Sequence, residues 1–142
     1  MKAITIWQPW AELIVLGLKQ YETRSWGTAY RGKIAIHAAK FHRLPHEVYT
    51  DIAKAIGITP EEYPDSWLGQ AERGTGVHFG AIIGTARLVD VSPTSKLHGH
   101  LTPRERMLGD FGPDRYGWAM ENPVRCDPPI TVKGRQGLWN LT

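Results

Sequence analysis

The chain has a single cysteine among its 142 residues, no long apolar run and only a small surplus of positive charge. Each shortage excludes something. Cys126 cannot close a disulfide within the chain, and without a CxxC pair or a Cys/His spacing no zinc motif and no metal site is expected. No apolar stretch approaches the roughly 18 residues that a membrane-spanning helix needs, so a membrane is not expected as a partner. The opening Met1-Lys2-Ala3-Ile4-Thr5-Ile6 is too short for a signal-peptide core, which predicts a soluble, cytoplasmic protein. A net charge of +3 permits contact with phosphate without demanding it. Internal repeats, low-complexity runs and linkers are missing too. The length then suits one domain over residues 1–142, able to bury about two-thirds of its unfolded surface.

What the chain has in plenty is tryptophan, with six, and proline, with ten, a composition that favours rigid loops and aromatic surfaces. Ala3 to Trp7 is β-branched and apolar and reads as an opening strand. Pro9 suits the first position of a helix, Trp10, Leu13 and Ile14 follow at helical spacing, and Gly17 suits its C-terminal cap. Lys19 to Trp26 alternates like a strand, with Glu22, Arg24 and Trp26 on one face and Tyr21, Thr23 and Ser25 on the other. After the turn at Tyr30-Arg31-Gly32, Lys33 to His37 predicts a strand buried on both faces.

Val48, Ile52, Ala55 and Ile56 mark one face of a helix from Pro45 to Ile56, which Gly57 ends. Thr59-Pro60-Glu61-Glu62 resembles a second helix start, and Tyr63 to Gly80 reads mostly as loop. Gly80 to Ser92 is the strongest strand. Thr102-Pro103-Arg104-Glu105 matches a capping box for a helix to about Leu108. Tyr116 to Asn122 predicts a strand stopped by Pro123, and Ile130 to Val132 and Gly137 to Leu141 predict closing strands around a Lys133-Gly134 turn. Short strands with helices inserted between them define a small α+β domain on a curved or closed sheet.

The densest segment is Gly17-Leu18-Lys19-Gln20-Tyr21-Glu22-Thr23-Arg24, preceded by Trp7-Gln8-Pro9-Trp10-Ala11. Gly17, Lys19, Glu22 and Arg24 form a Gly-x-Lys-x-x-Glu-x-Arg motif. Joined to the Gln-Pro-Trp segment, to Arg24-Ser25-Trp26 and to Tyr30-Arg31-Gly32, it resembles the ASCH family within the PUA-like superfold. Asn122-Pro123, Val132-Lys133-Gly134 and Leu138-Trp139 extend the resemblance to the end of the chain, with Phe41 to Gly76 least covered. The resemblance implies a PUA-like small β-barrel with inserted helices and a cleft, and nucleic acid as partner, RNA ahead of DNA, or a nucleoside. One branch of the family, small bacterial acetylcytidine amidohydrolases, pairs its lysine with a threonine. Glu22 stands at that position here, so the motif marks a pocket better than it names a reaction.

In that pocket Lys19 can contact phosphate, stabilise an oxyanion or, if burial lowers its pKa, act as a base; Glu22 can orient it or share its proton. Lys19 and Glu22 are the candidate catalytic pair, and the family resemblance implies as the alternative to binding a hydrolase on RNA or on an acylated nucleoside. Arg24 offers a planar fork for phosphate or a base edge. Trp7, Trp10 and Trp26 can stack on bases, with one of Trp7 and Trp10 expected to line the cleft. Gln8 can read a base edge or cap the helix. Arg31, His37 and Lys40 complete the candidate binding set, Lys40 within a basic cluster with Lys33, His42 and Arg43. No cofactor is called for.

Overall fold

In a computed structural model that describes residues 1–141, six strands form one curled sheet with helices inserted between them. The strands are β1 (Lys2–Ile6), β2 (Tyr21–Arg24), β3 (Gly32–Ala38), β4 (Ala81–Pro93), β5 (Tyr116–Thr131) and β6 (Leu138–Asn140), in spatial order β2-β5-β4-β3-β1-β6. β1 runs parallel to β3 and antiparallel to β6, and the pairs β3–β4, β4–β5 and β5–β2 are antiparallel. The helices are α1 (Trp10–Val15), α2 (His46–Ile56), α3 (Trp67–Glu72) and α4 (Pro103–Leu108).

The apolar positions explain the layering. Ile4 and Ile6 of β1, Ile34 and Ile36 of β3, and Ile83 and Leu88 of β4 bury against Ile14 of α1 and against Trp118 of β5. Leu13, on the other side of α1, joins Tyr49 and Ile52 of α2, Leu68 of α3 and Leu108 of α4 in a second cluster. α1 is therefore shared between the sheet and the helical layer, and the strand-to-helix turn at Trp7-Gln8-Pro9 lies at their junction.

Three expectations change. The stretch from Tyr63 to Gly80 is not mainly loop: a 3-10 turn at Tyr63–Asp65 leads into α3, where the Ser66 side chain caps by accepting from Gly69 N at 3.1 Å. Thr59 and Glu62 do cap each other, since Glu62 N donates to Thr59 Oγ1 at 3.2 Å and Thr59 N to Glu62 Oε1 at 3.1 Å. They close a turn rather than start an α-helix.

Pro123 does not stop its strand, because β5 continues to Thr131. The register takes up one extra residue there: Arg87 pairs with Glu121 but Thr85 with Val124, and Asn122 adopts a positive φ of 50°. A bulge of this kind leaves a residue without a ladder bond, which is where a proline is tolerated in a strand.

Candidate functional site

The hallmark segment forms one wall of a cleft of about 600 Å³ between the sheet and the helical layer. β1 and its turn bring Thr5, Trp7 and Trp10; β2 brings Glu22 and Arg24; α2 brings Asp51 and Ile52; the end of α4 and the segment after it bring Leu108, Gly109 and Asp110. The volume is in the range of small-ligand sites.

Lys19 lies just before β2 and is only 2% exposed. Among the described residues its Nζ is the one buried side-chain nitrogen or oxygen with no hydrogen-bond partner. Gly109 of the cleft wall stands next to it, so close that a Cβ there would come within 3.1 Å of Nζ. The nearest carboxylate oxygen in an ion pair, Glu105 Oε2, is 4.0 Å away. Burial lowers the Lys19 pKa below the usual lysine value, and the negative charges of Glu22 and Glu105 offset part of that drop.

Glu105 is occupied elsewhere. Thr102 Oγ1 caps α4 by accepting from Glu105 N at 3.0 Å, as the sequence predicts, but the Glu105 carboxylate does not reach back to complete a capping box. Its two oxygens accept instead from Gln20 N at 2.8 Å and Tyr21 N at 3.1 Å. α4 is thereby clamped to the start of β2, and Lys19 is set beside the clamp.

Glu22 and Arg24 share a face, and Arg24 Nε donates to Glu22 Oε2 at 2.9 Å. The other end of the guanidinium donates to Thr5 O at 2.7 Å, which fixes β2 against β1 across the cleft. Trp7 and Trp10 both line the cleft rather than one of them. Ala11 N donates to Trp7 O at 3.1 Å, folding the turn back on the first residues of α1. Trp7 is 50% exposed and its ring lies against His42 with centroids 4.9 Å apart, leaving an aromatic face at the rim.

The other predicted residues are placed apart from this cleft. Gln8 is buried and serves the helix, accepting from Glu12 N at 2.8 Å and donating to His78 O at 2.9 Å. Trp26 packs edge-on against Trp118, with centroids 4.9 Å apart. Arg31 donates to Thr28 O and Tyr30 O in its own turn. His37 and Lys40 line a second groove on the far side of Thr5.

Sequence reasoning missed Asp51, Asp110 and the role of Glu105. Asp51 had a readable signal: it stands three residues after Val48 and next to Ile52, an acid bordering the apolar face of α2. Asp110 has no such signal, because the segment after α4 reaches the cleft only through tertiary packing. No group of His, Cys, Asp and Glu able to hold a metal occurs among the described residues. Nor is any helix there long and apolar enough to cross a membrane.

A curled six-stranded sheet, a helical layer packed through one short helix and a lysine-floored cleft at their junction define a PUA-like α+β domain. The chain belongs to the ASCH domain family, whose model matches residues 4–125. It is 44% identical over 144 residues to activating signal cointegrator 1 of Homo sapiens, an alignment covering 97% of this chain and 22% of that protein. Against activating signal cointegrator 1 of Mus musculus the identity is 24% with the same coverage of each. The chain thus spans about a fifth of the length of these curated relatives. Among solved structures, ASCH from Zymomonas mobilis superposes with a TM-score of 0.58 at 16% identity, covering 99% of this chain and 87% of that one. A point mutant of the same Zymomonas mobilis protein gives 0.55 at 15% identity, covering 99% and 89%.

Proposed function

We propose that the cleft binds a base of single-stranded nucleic acid, with Lys19 as its polar floor and Trp7 and Trp10 as its aromatic walls. The observation that carries this reading is the unpartnered, buried Lys19 ammonium. Withholding hydrogen bonds from a buried cation costs free energy, and a ligand acceptor such as a base carbonyl or a phosphate oxygen removes that cost on binding. The charged residues that line the cleft balance one another, Lys19, Arg24 and Arg115 against Glu22, Asp51 and Asp110. A balanced polar set suits a neutral base with both donors and acceptors better than it suits a phosphate. The membership in the ASCH family is consistent with a nucleic-acid-related role.

The test is fluorescence anisotropy with labelled single-stranded RNA and DNA at rising salt, comparing wild type with Lys19→Met. Binding that weakens with salt and is lost in the variant supports the reading. Equal affinity in the two proteins, or no binding at low salt, sinks it.

A second reading rests on the same lysine. An amine whose pKa is lowered by burial, close to Glu22 and Glu105, is equipped to take and return a proton. That favours a hydrolase acting on RNA or on an acylated nucleoside. Incubation with each substrate class decides it: product formed by wild type and abolished by Lys19→Met supports hydrolysis, and turnover surviving in both Lys19→Met and Glu22→Gln removes it.

A further inference from the structure

A second groove, also of about 600 Å³, opens across Thr5 from the cleft, and Thr5 lines both. Its floor is a fixed chain of hydrogen bonds. His37 Nε2 lies 2.7 Å from Val132 O and Nδ1 lies 3.2 Å from Thr5 Oγ1. A carbonyl can only accept, so Nε2 carries a proton, and in the neutral ring Nδ1 accepts from the Thr5 hydroxyl. Trp139 Nε1 donates to the same Thr5 Oγ1 at 3.2 Å. The segment after β5 is pinned to β1, β3 and β6 in this way. It also approaches very closely: a Cβ on Gly134 would stand 2.6 Å from His37 Cε1 and 2.8 Å from Thr5 Oγ1.

This pinned segment holds Lys133 and Arg135 exposed on the groove, with Lys40 after β3 as a third cation. No aspartate or glutamate lines the groove. None of the three cations joins an ion pair among the described residues. The contrast with the cleft is one of charge type. The cleft sets acids against its cations, whereas the groove offers cations alone over a rigid floor. A polyanion gains from the second arrangement through counterion release, whatever its sequence.

We propose that this groove is a phosphate track continuing the cleft, so that one single strand seats a base between the tryptophans and leads its backbone across Thr5 onto Lys40, Lys133 and Arg135. The proposal rests on the base-binding reading of the cleft and adds the path and length of the ligand. It predicts that affinity grows with the number of phosphates beyond the base that the cleft engages.

The experiment uses the full chain, a mononucleotide and a labelled ten-nucleotide single strand, with affinity measured over a salt series. The variants are Lys40→Gln/Lys133→Gln/Arg135→Gln and a control of equal charge, Lys54→Gln/Arg87→Gln/Lys96→Gln. All six positions are exposed, so both proteins should fold. Each phosphate contact to a single strand contributes about 0.7 to the slope of log affinity against log salt, so losing three flattens it by about 2. The expected result is that flattening for the ten-nucleotide strand in the groove variant, a smaller change in the control, and unchanged mononucleotide affinity in both. A groove variant with the wild-type slope, or a control that flattens as much, overturns the track while leaving the cleft reading intact. If wild type binds the long strand and the mononucleotide not at all, the cleft reading falls and the track with it.

Discussion

Lys19 Nζ stands 4.0 Å from Glu105 Oε2, close enough for charge attraction and too far for a hydrogen bond. The carboxylate is already held by the backbone N–H groups of Gln20 and Tyr21, and Glu22 is held by Arg24. Removing the lysine therefore leaves neither acid without a donor. The ammonium is attracted by its neighbours and bonded to none of them, which is unfavourable for the fold and useful for a ligand.

The consequence for stability runs against intuition. Lys19→Met keeps the aliphatic volume and deletes an unpartnered buried charge, so unfolding free energy should rise by about 1 kcal/mol while nucleic-acid affinity falls. Urea denaturation and anisotropy on the same protein read both signs. A less stable variant with unchanged affinity contradicts the assignment of Lys19 as a strained binding group.

The pH dependence follows from the same residue. Burial lowers the Lys19 pKa in the folded state below the ordinary value of 10.5. Between those two values the unfolded chain binds more protons than the folded one, so the slope of stability with pH is positive there. The penalty is full below the folded pKa and fades as pH climbs toward 10.5. The stability gap between Lys19→Met and wild type should accordingly narrow from pH 7 to pH 10. Measuring it as a difference cancels the titration of the other groups, and a gap that widens refutes the buried-cation account.

Away from the cleft, Glu72 accepts from Tyr63 Oη and lies 2.8 Å from His46 Nδ1 and 3.5 Å from Arg43. Desolvation raises its pKa, but the hydrogen bonds from Tyr63 and His46 more than offset this and leave it below 4.5. A depressed carboxylate stabilises the fold above its unfolded pKa and loses that contribution as pH falls through the lower folded value. Glu72→Gln should cost about 2 kcal/mol at pH 7, with the gap to wild type closing as acid is added below pH 4.5. A gap independent of pH would show that packing, not charge, holds α3 to α2.

Gly134 gives a test of the groove floor. Its φ is unexceptional, so the demand for glycine is one of space alone: His37 and Thr5 fill the volume a methyl group needs. Gly134→Ala should destabilise by about 1–3 kcal/mol. Gly99→Ala, with nothing within 4 Å of the added carbon, should stay within about 0.5 kcal/mol. Thermal melts that fail to separate the pair would place the Val132–Gln136 segment farther from the sheet.

Local pattern made part of this site legible. Strand alternation placed Glu22 and Arg24 on one face, and they meet there at 2.9 Å. Gly57, with φ of 83°, ends α2 where the glycine stood in the sequence. Alternation failed at Trp26, because β2 ends at Arg24 and the chain turns Trp26 onto Trp118. The rest was written in distant residues. Glu105 reaches Gln20 across 85 positions, and a capping pattern in its own segment gave it another partner. The second groove was legible only in pieces, as His37 and Lys40, since it exists only once His37 is bonded to Val132, 95 residues away.

Trp7 is the clearest probe of what the cleft holds. Half exposed at the rim, it contributes little to either core cluster, whereas Trp10 packs on both. Trp7→Ala should therefore change stability by less than about 1 kcal/mol. If a base stacks on the ring, the same change costs about 1–3 kcal/mol of binding, or about 5- to 150-fold in Kd. Trp10→Ala weakens binding as well but unfolds more easily, by about 3 kcal/mol, which makes its effect ambiguous. Trp7→Phe separates stacking from bulk, since it keeps an aromatic face and should recover most of the lost affinity. An oligonucleotide bound equally by wild type, Trp7→Ala and Trp7→Phe would mean that the base does not enter between the tryptophans.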